Sequence, residues 1–509
     1  LPEALAGLFL NLNGMMTMNL TTNPWIPATR NDGSRGLFSL QELFAEAHQL
    51  RDLAVKPHER IALMRLLICI TQAALDGPTD EEDWEQCEPS IQPKVAAYLE
   101  KWAGSFELFG EGPRFLQLGN LQPGKETDEG NASTKLDLAL ATGNNPTLFD
   151  NRSCEQRAVD PVRAPLNLLT FQCFSPGGRI GVARWNGKDT PGKGASGHAP
   201  CTPSSMIHSL ILGTRLLETL RLNLLSQETV ADSFGSQKWG QPIWESPVQS
   251  GAESVAVGNA TGTYLGRLVP VSRAIRLKED GVSVILANGL EYPIYPAYRE
   301  ATATIRKMDK ETKLLPASTG RSLWRQLSAI SVKRRSDGDP VCGPLALGRN
   351  FSSRNTTLWV GALITDKAKI EEVIESVYTL PSEMFSDLGR AAFENGVNFA
   401  GKWEFALKNS LKEYAATLKV VDPPVAQAAQ VFWTRLEQHL SDLFEIARNP
   451  DLVADLPACA WGRAVKAAAH DAYQQSCPRQ TPRQIEAYAR GLRKLSVRNE
   501  TQPTPVENE

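Results

Sequence analysis

Leu380-Pro381-Ser382-Glu383 marks the place where the sequence changes character. Downstream, almost every stretch carries the apolar spacing of a helix; upstream, short strand-like runs alternate with helices and long polar loops. Ser382 can cap a helix running to about Thr417. Asp422 with Pro423-Pro424 opens a second, because proline suits the first helical turn. That second helix would carry Ala429, Phe432, Leu436, Leu440, Leu443 and Ala447 at steps of three and four, which makes one apolar face. An alanine-rich third is predicted from about Pro457 to Gln475. Thr481-Pro482-Arg483-Gln484 has the form of a capping box leading into Ile485, Tyr488, Ala489, Leu492 and Leu495. Amphipathic helices joined by short connections predict a four-helix bundle.

The upstream part reads as α+β. Pro57 to Leu75 and Ser204 to Leu225 are predicted helices, and Thr263 to Leu277, Val282 to Tyr292 and Thr357 to Thr365 predicted strands. Leu121 to Ala164 and Ser175 to Pro203 are unusually long loops, which in a compact domain tend to be functional or disordered. The expected fold is therefore α+β: a large mixed N-terminal domain (18–380) followed by a C-terminal four-helix bundle (381–498). Residues 1–17 read as an N-terminal extension and 499–509, polar with two prolines, as a disordered tail. A length of 509 residues suits two to four domains at about 150 residues each.

Charge and composition narrow the function. The 54 lysines and arginines nearly balance 57 acidic residues, for a net charge of −3, so any nucleic-acid surface must be local. The eight cysteines include no CxxC pair, and none of the six histidines falls in HExxH or at ligand spacing from another histidine or cysteine. The most apolar stretch, Ile61 to Leu75, is interrupted by Arg65 and too short for a bilayer. Leu1 to Thr17 lacks the basic start and cleavage site of a signal peptide. These features predict a reduced, cytoplasmic protein with no membrane anchor.

Catalysis finds little support. Gly187 and Gly192-Lys193 have P-loop spacing, but Gly194 stands where a serine or threonine must hold magnesium. No GxSxG elbow is present, and the acids from Asp80 to Asp83 read as a helix start. The expectation is no enzyme, no metal and no cofactor. A divergent metal-dependent nuclease or hydrolase is the alternative, which clustered carboxylates would betray; a scaffold that contacts only protein is the third reading, which salt-dependent DNA binding would exclude.

What remains is basic and glycine-rich. Ser175 to Pro203 holds seven glycines with Arg179, Arg184, Lys188 and Lys193 against one acid, Asp189. Glycine lets a backbone approach a ligand closely, and adjacent cations hold phosphates; a mobile surface loop is the plainer explanation. Arg306 to Arg335 carries nine basic residues and two acids around Trp324, either a phosphate-neutralising patch or a solvated helical face. The last helix adds Arg479, Arg483, Arg490, Arg493, Lys494 and Arg498 against Glu486.

Particular strings say more. Asn19-Leu20 with Pro24-Trp25-Ile26-Pro27, Arg65-Leu66-Leu67, Phe106-Glu107-Leu108-Phe109 with Pro113-Arg114-Phe115-Leu116-Gln117, Gln241-Pro242-Ile243-Trp244 and Gly320-Arg321-Ser322-Leu323-Trp324 occur in one order, followed by the terminal helices. In that order they resemble the CasA-type large subunit of the type I-E CRISPR Cascade complex, from Met18 over nearly the whole chain. The resemblance implies a non-catalytic subunit of an RNA-guided antiviral surveillance complex. Such a subunit recognises the protospacer-adjacent motif in double-stranded DNA, helps open the duplex for guide-RNA pairing in an R-loop, and recruits the helicase-nuclease. The implied partners are the other Cascade protein subunits, the CRISPR guide RNA, the double-stranded target DNA and the helicase-nuclease.

The resemblance also implies site residues. The family's motif-reading Phe-x-Asn element is matched by Phe149-Asp150-Asn151, and its minor-groove glycine loop by Pro176-Gly177-Gly178 with Arg179 beside it. The minor groove offers a degenerate pattern, so such a loop reads a short, relaxed motif. The wedge hairpin would fall at Asp366-Lys367-Ala368, with Lys367 where one branch carries glutamine, a flexible point charge in place of a planar amide. Lys278 lies nearest to the family's minor-groove lysine. Arg321, Arg325, Arg490, Arg493 and Lys494 are the candidate contacts to the DNA backbone.

Overall fold

The computed structural model describes residues 17–110, 112–124, 131–139, 160–177, 180–190, 199–333, 341–349, 355–366 and 369–497. The expectations for Phe149, Asp150, Asn151, Gly178, Arg179, Lys367, Ala368, residues 1–16 and the tail 499–509 lie outside the described residues. The fold is mixed α+β and divides into two compact units. The first comprises Leu1–Thr319, Lys333–Arg349 and Thr357–Tyr378; the second comprises Gly320–Val332, Asn350–Thr356 and Thr379–Glu509.

The first unit is organised on the helix Pro57–Leu75, which keeps its predicted bounds. Pro57 opens the first turn, the Lys56 N–H donates to the Glu59 carboxylate at 3.0 Å, and Asp76 ends the helix at φ 52°. Apolar residues surround the helix on every side, so it is buried from His58 to Gln72. Arg65 in its middle is neutralised from a distance in sequence. Its Nη1 lies 2.5 Å from the Glu300 carboxylate, and the Arg267 Nε lies 2.6 Å from the other oxygen. The remaining guanidinium N–H groups donate to backbone carbonyls of Thr261, Arg267, Leu268 and Pro293.

Two upstream expectations are corrected. Ser204 to Leu225 is not one helix but a 3-10 turn Pro203–Ser205, a strand His208–Leu212 and a helix Leu216–Asn223. The strand is buried on both faces, where periodicity cannot separate strand from helix. It pairs with the strand Thr356–Asp366, Leu210 opposite Trp359, and Lys369–Leu380 lies on the other side. Thr263 to Leu277 begins as a helix, Tyr264–Leu268, because Thr263 caps it by accepting from the Gly266 N–H; only Arg273–Leu277 is strand.

Two histidines in this unit are buried as neutral rings. His208 contacts the Thr302 hydroxyl at 2.8 Å and the Cys201 carbonyl at 3.1 Å, and burial pushes its pKa down to about 4. Burial pushes His58 down to about 4 as well. Both folded values lie below the ordinary 6.5, so the unfolded chain binds more protons between these limits. The stabilisation is complete above about pH 6.5 and is lost as the pH falls towards 4. We expect the denaturant midpoint to fall between pH 7 and pH 4.5 and His208→Gln to flatten part of that fall; a midpoint independent of pH in this window would contradict it.

In the second unit the helices begin later than expected. Ser382–Phe385 is a 3-10 turn, and Ser386, accepting from the Gly389 N–H at 3.0 Å, caps the helix Asp387–Leu418. The predicted second helix is broken at Gln438-His439 into Val425–Glu437 and Leu440–Arg448. Ala460–Ser476 follows, then Pro482–Lys494 with the Thr481–Gln484 capping box in place. The long helix packs against Leu440–Arg448, Ala460–Ser476 and Pro482–Lys494. Gly491 permits the last contact, since a Cβ there would meet the Tyr473 hydroxyl and the Ser410 carbonyl. Among the described residues no helix is long and apolar enough to cross a membrane.

Segment Gly320–Val332 belongs to this second unit. Trp324 is 0% exposed, its ring 5.6 Å from that of Trp433 and 6.0 Å from that of Trp461.

Candidate nucleic-acid interface

The glycine loop has a fixed root. The helix Ala164–Phe174 ends at Ser175, where Arg273 takes over: its Nε donates to the Ser175 hydroxyl (2.9 Å), Nη2 to the Pro176 carbonyl (2.8 Å) and Nη1 to the Asn288 side-chain oxygen (2.8 Å). The chain returns to the same spot, with the Ala199 N–H donating to the Ser175 carbonyl and the Cys201 N–H to that of Cys173. Arg273 is buried and all three of these acceptors are uncharged; desolvation pulls its pKa down to about 10. A positive charge therefore lies beneath the loop. Gly177 itself is buried.

Between these ends, Ala183–Trp185 and Lys188–Asp189 form a hairpin whose Asn186-Gly187 turn has φ of 48° and 77°. Positive φ at both central positions is what a type I′ turn requires, and this accounts for Gly187 without a phosphate. The same hairpin pairs with Leu121–Pro123, with Leu121 opposite Trp185 and Pro123 opposite Ala183. The two long loops read separately in the sequence thus share one three-stranded sheet. Arg184 and Lys188 on it are exposed.

A second sheet gathers the remaining upstream candidates. Arg273–Leu277 and Ser283–Asn288 form a hairpin, and Asn131–Ala132, from inside the first long loop, pairs with Ser283 and Val284. Lys278, half-buried, lies in the hairpin turn, where the Ser133 hydroxyl donates to the Gly281 carbonyl at 3.1 Å. Arg273, which holds Pro176, and Lys278 therefore mark opposite ends of the strand Arg273–Leu277, a length of roughly 16 Å for five strand residues.

The described residues of the basic stretch Arg306 to Arg335 are divided between the two units. Arg306, Lys307, Lys310 and Lys313 belong to a hairpin, Ile305–Met308 with Glu311–Leu314, in the first unit, whereas Arg321 and Arg325 belong to the second. Arg325 is half-buried, its guanidinium 3.6 Å over the Trp433 ring and 3.9 Å from Glu404. Burial pulls its pKa down to about 10. Arg490 pairs with Glu486 at 2.6 Å, while Arg493 and Lys494 are exposed in the last helical turn, where a cation also suits the helix dipole. Asp366 is exposed at the end of its strand. Arg273 escaped sequence reading; its one signal is an arginine among the apolar residues of a strand.

Residues 19–472 match the family described as CRISPR-associated protein Cse1. CasA/Cse1 of Thermus thermophilus is 28% identical over 429 residues, 79% of each chain. In fold, Thermobifida fusca Cse1 aligns with a TM-score of 0.74 at 21% identity over 94% of this chain and 98% of that one. A chain of a CRISPR RNA-guided surveillance complex aligns with a TM-score of 0.72 at 18% identity, over 94% of this chain and 99% of its own. The family match runs through both units and takes in each of the ordered strings from Asn19 to Trp324, and on that basis the chain belongs to the CRISPR-associated protein Cse1 family.

Proposed function

We propose that this protein is the non-catalytic large subunit of an RNA-guided antiviral surveillance complex of the type I-E Cascade kind, acting in the cytoplasm. It recognises the protospacer-adjacent motif in double-stranded DNA, helps open the duplex for the guide RNA and recruits the helicase-nuclease. The observation that carries the reading is the pairing of Leu121–Pro123 with Ala183–Trp185, which ties the roots of both candidate reading loops into one sheet, beside the clamp of Arg273 on Ser175 and Pro176. In such a system base pairing with the guide supplies long-range specificity, and the protein reads only a short motif. The strands Thr356–Asp366 and Lys369–Leu380 support a hairpin with Lys367 at its tip, holding the distorted DNA backbone by charge. The C-terminal helices read as a four-helix bundle if Val425–Glu437 and Leu440–Arg448 count as one broken helix.

The test is a gel shift with the assembled guide-RNA complex on motif-bearing and scrambled duplexes. Gly178→Leu should weaken binding of the motif-bearing duplex about tenfold and leave the scrambled one unchanged, since a side chain blocks close approach to the groove. Neutralising Arg490, Arg493 and Lys494 together should weaken both duplexes alike and flatten the log affinity against log salt slope by about 2 to 3. Equal losses on both duplexes for Gly178→Leu would count against motif reading by this loop.

A further inference from the structure

The loop 112–120 and the segment Ile243–Gln249 of the first unit enclose a cleft of about 620 Å³ that none of the readings above uses. Its size lies within the roughly 300–1,000 Å³ of small-molecule sites. We infer that this cleft binds a nucleotide unit, an aromatic base carrying a phosphate.

The walls supply what each part of such a ligand needs. Trp102 and Trp244 line the cleft; Trp244 is buried against Phe106, and the half-buried Trp102 indole is the stacking surface for a base. The Trp244 N–H is spent on the Tyr98 hydroxyl at 2.7 Å, but the buried Trp102 N–H has no hydrogen-bond partner. Arg276, half-buried on the opposite strand wall, has no hydrogen bond or ion pair among the described residues. Arg114 beside it is fully committed: it donates to the Gly110 and Leu277 carbonyls and to Glu279. The guanidinium of Arg276 is thus the cation left for a phosphate. Glu245, the carboxylate lining the cleft, already accepts from the Tyr98 hydroxyl, and its remaining lone pairs suit the amino edge of a base.

Position adds a reason for the ligand class. The cleft wall runs through Asn120 directly into the strand Leu121–Pro123, and Asn186, in the turn of the paired hairpin, donates to the Gln249 carbonyl on the rim. The cleft therefore opens at the root of both long loops. Leu116 and Asn120 in its wall adopt φ of 53° and 54°, which shapes the wall as a tight irregular loop. A strand passing over the loops can place one unstacked nucleotide here; a free nucleotide offers the same chemistry.

The experiment titrates the full-length subunit alone, without guide RNA or motif duplex, so its outcome is separable from motif recognition. Tryptophan fluorescence is followed with adenosine and guanosine monophosphates in one arm and a mixed-sequence single-stranded DNA octamer in the other. Saturable quenching is expected, with Arg276→Gln weakening it about tenfold, Arg276→Lys keeping most of the affinity and Trp102→Phe reducing both affinity and quench amplitude. Circular dichroism checks that each variant is folded, and Trp102→Phe carries the test should Arg276→Gln fail to fold. Binding in the monophosphate arm assigns the cleft to free nucleotides, and binding in the octamer arm alone assigns it to a nucleotide within a strand. No saturable binding in either arm, or binding indifferent to both Arg276→Gln and Trp102→Phe, overturns the inference.

Discussion

Replacing Glu300 with glutamine is expected to destabilise the first unit by roughly 3–5 kcal/mol, because breaking a buried ion pair leaves uncompensated charge inside. Glu300 is buried between the Arg65 and Arg267 guanidiniums at 2.5 and 2.6 Å. Burial alone would push its carboxyl up; the two arginines overcome that and hold it below the usual range. The variant keeps the shape and two polar atoms but removes the only negative charge in the trio. Two cations would then face an amide, and the helix Pro57–Leu75 would lose its hold on the segment Arg267-Leu268. Guanidinium unfolding measures the loss, and a change below about 1 kcal/mol would mean that the arginines find other compensation.

Trp324→Ala should cost the second unit about 3–5 kcal/mol, the range for deleting a large buried aromatic side chain. The indole lies edge-on to Trp461 and tilted against Trp433, whose ring also carries Arg325. Removing it opens a cavity against helices Val425–Glu437 and Ala460–Ser476 and loosens the seat of Arg325. Trp324→Phe should cost clearly less, since the ring contact survives. Thermal unfolding followed at a tryptophan signal of the second unit separates these outcomes; a negligible shift for Trp324→Ala would show that the helices close over the gap.

Some of this fold is written locally. Pro57 lacks an N–H to satisfy and Glu59 accepts from Lys56, while Thr481 and Gln484 cap each other's N–H groups, so a sequence reader can place both starts. The break at Gln438-His439 is different, because Leu436, Leu440 and Leu443 keep their helical step across it and the apolar pattern conceals it. Ser204 to Leu225 misled for the opposite reason: a strand covered on both faces has no alternation to read.

Around the candidate interface, length and glycine content made both loops legible, but not their pairing. Leu121–Pro123 is three residues long and ends in proline, too little for a strand signal. The clamp by Arg273 joins residues about a hundred positions apart, and the committed state of Arg325 depends on Trp433 and Glu404. Partners so far apart leave no trace in local composition, which is why one basic stretch in the sequence is divided between the two units and its Arg325 is half-buried against Trp433.

The place of Trp324 in the second unit has a consequence for the order of synthesis. Its partner Trp461 is made 137 residues later (461 − 324). At about 5–20 residues per second that is a delay of roughly 7–27 s. Throughout it the nascent chain carries an indole whose burial site is incomplete, while Lys333–Arg349 and Thr357–Tyr378, which belong to the first unit, emerge in between. A ribosome that stalls before codon 461 therefore releases a product whose large apolar ring lacks the helix Ala460–Ser476 on one side, the kind of surface that chaperones and proteases act upon.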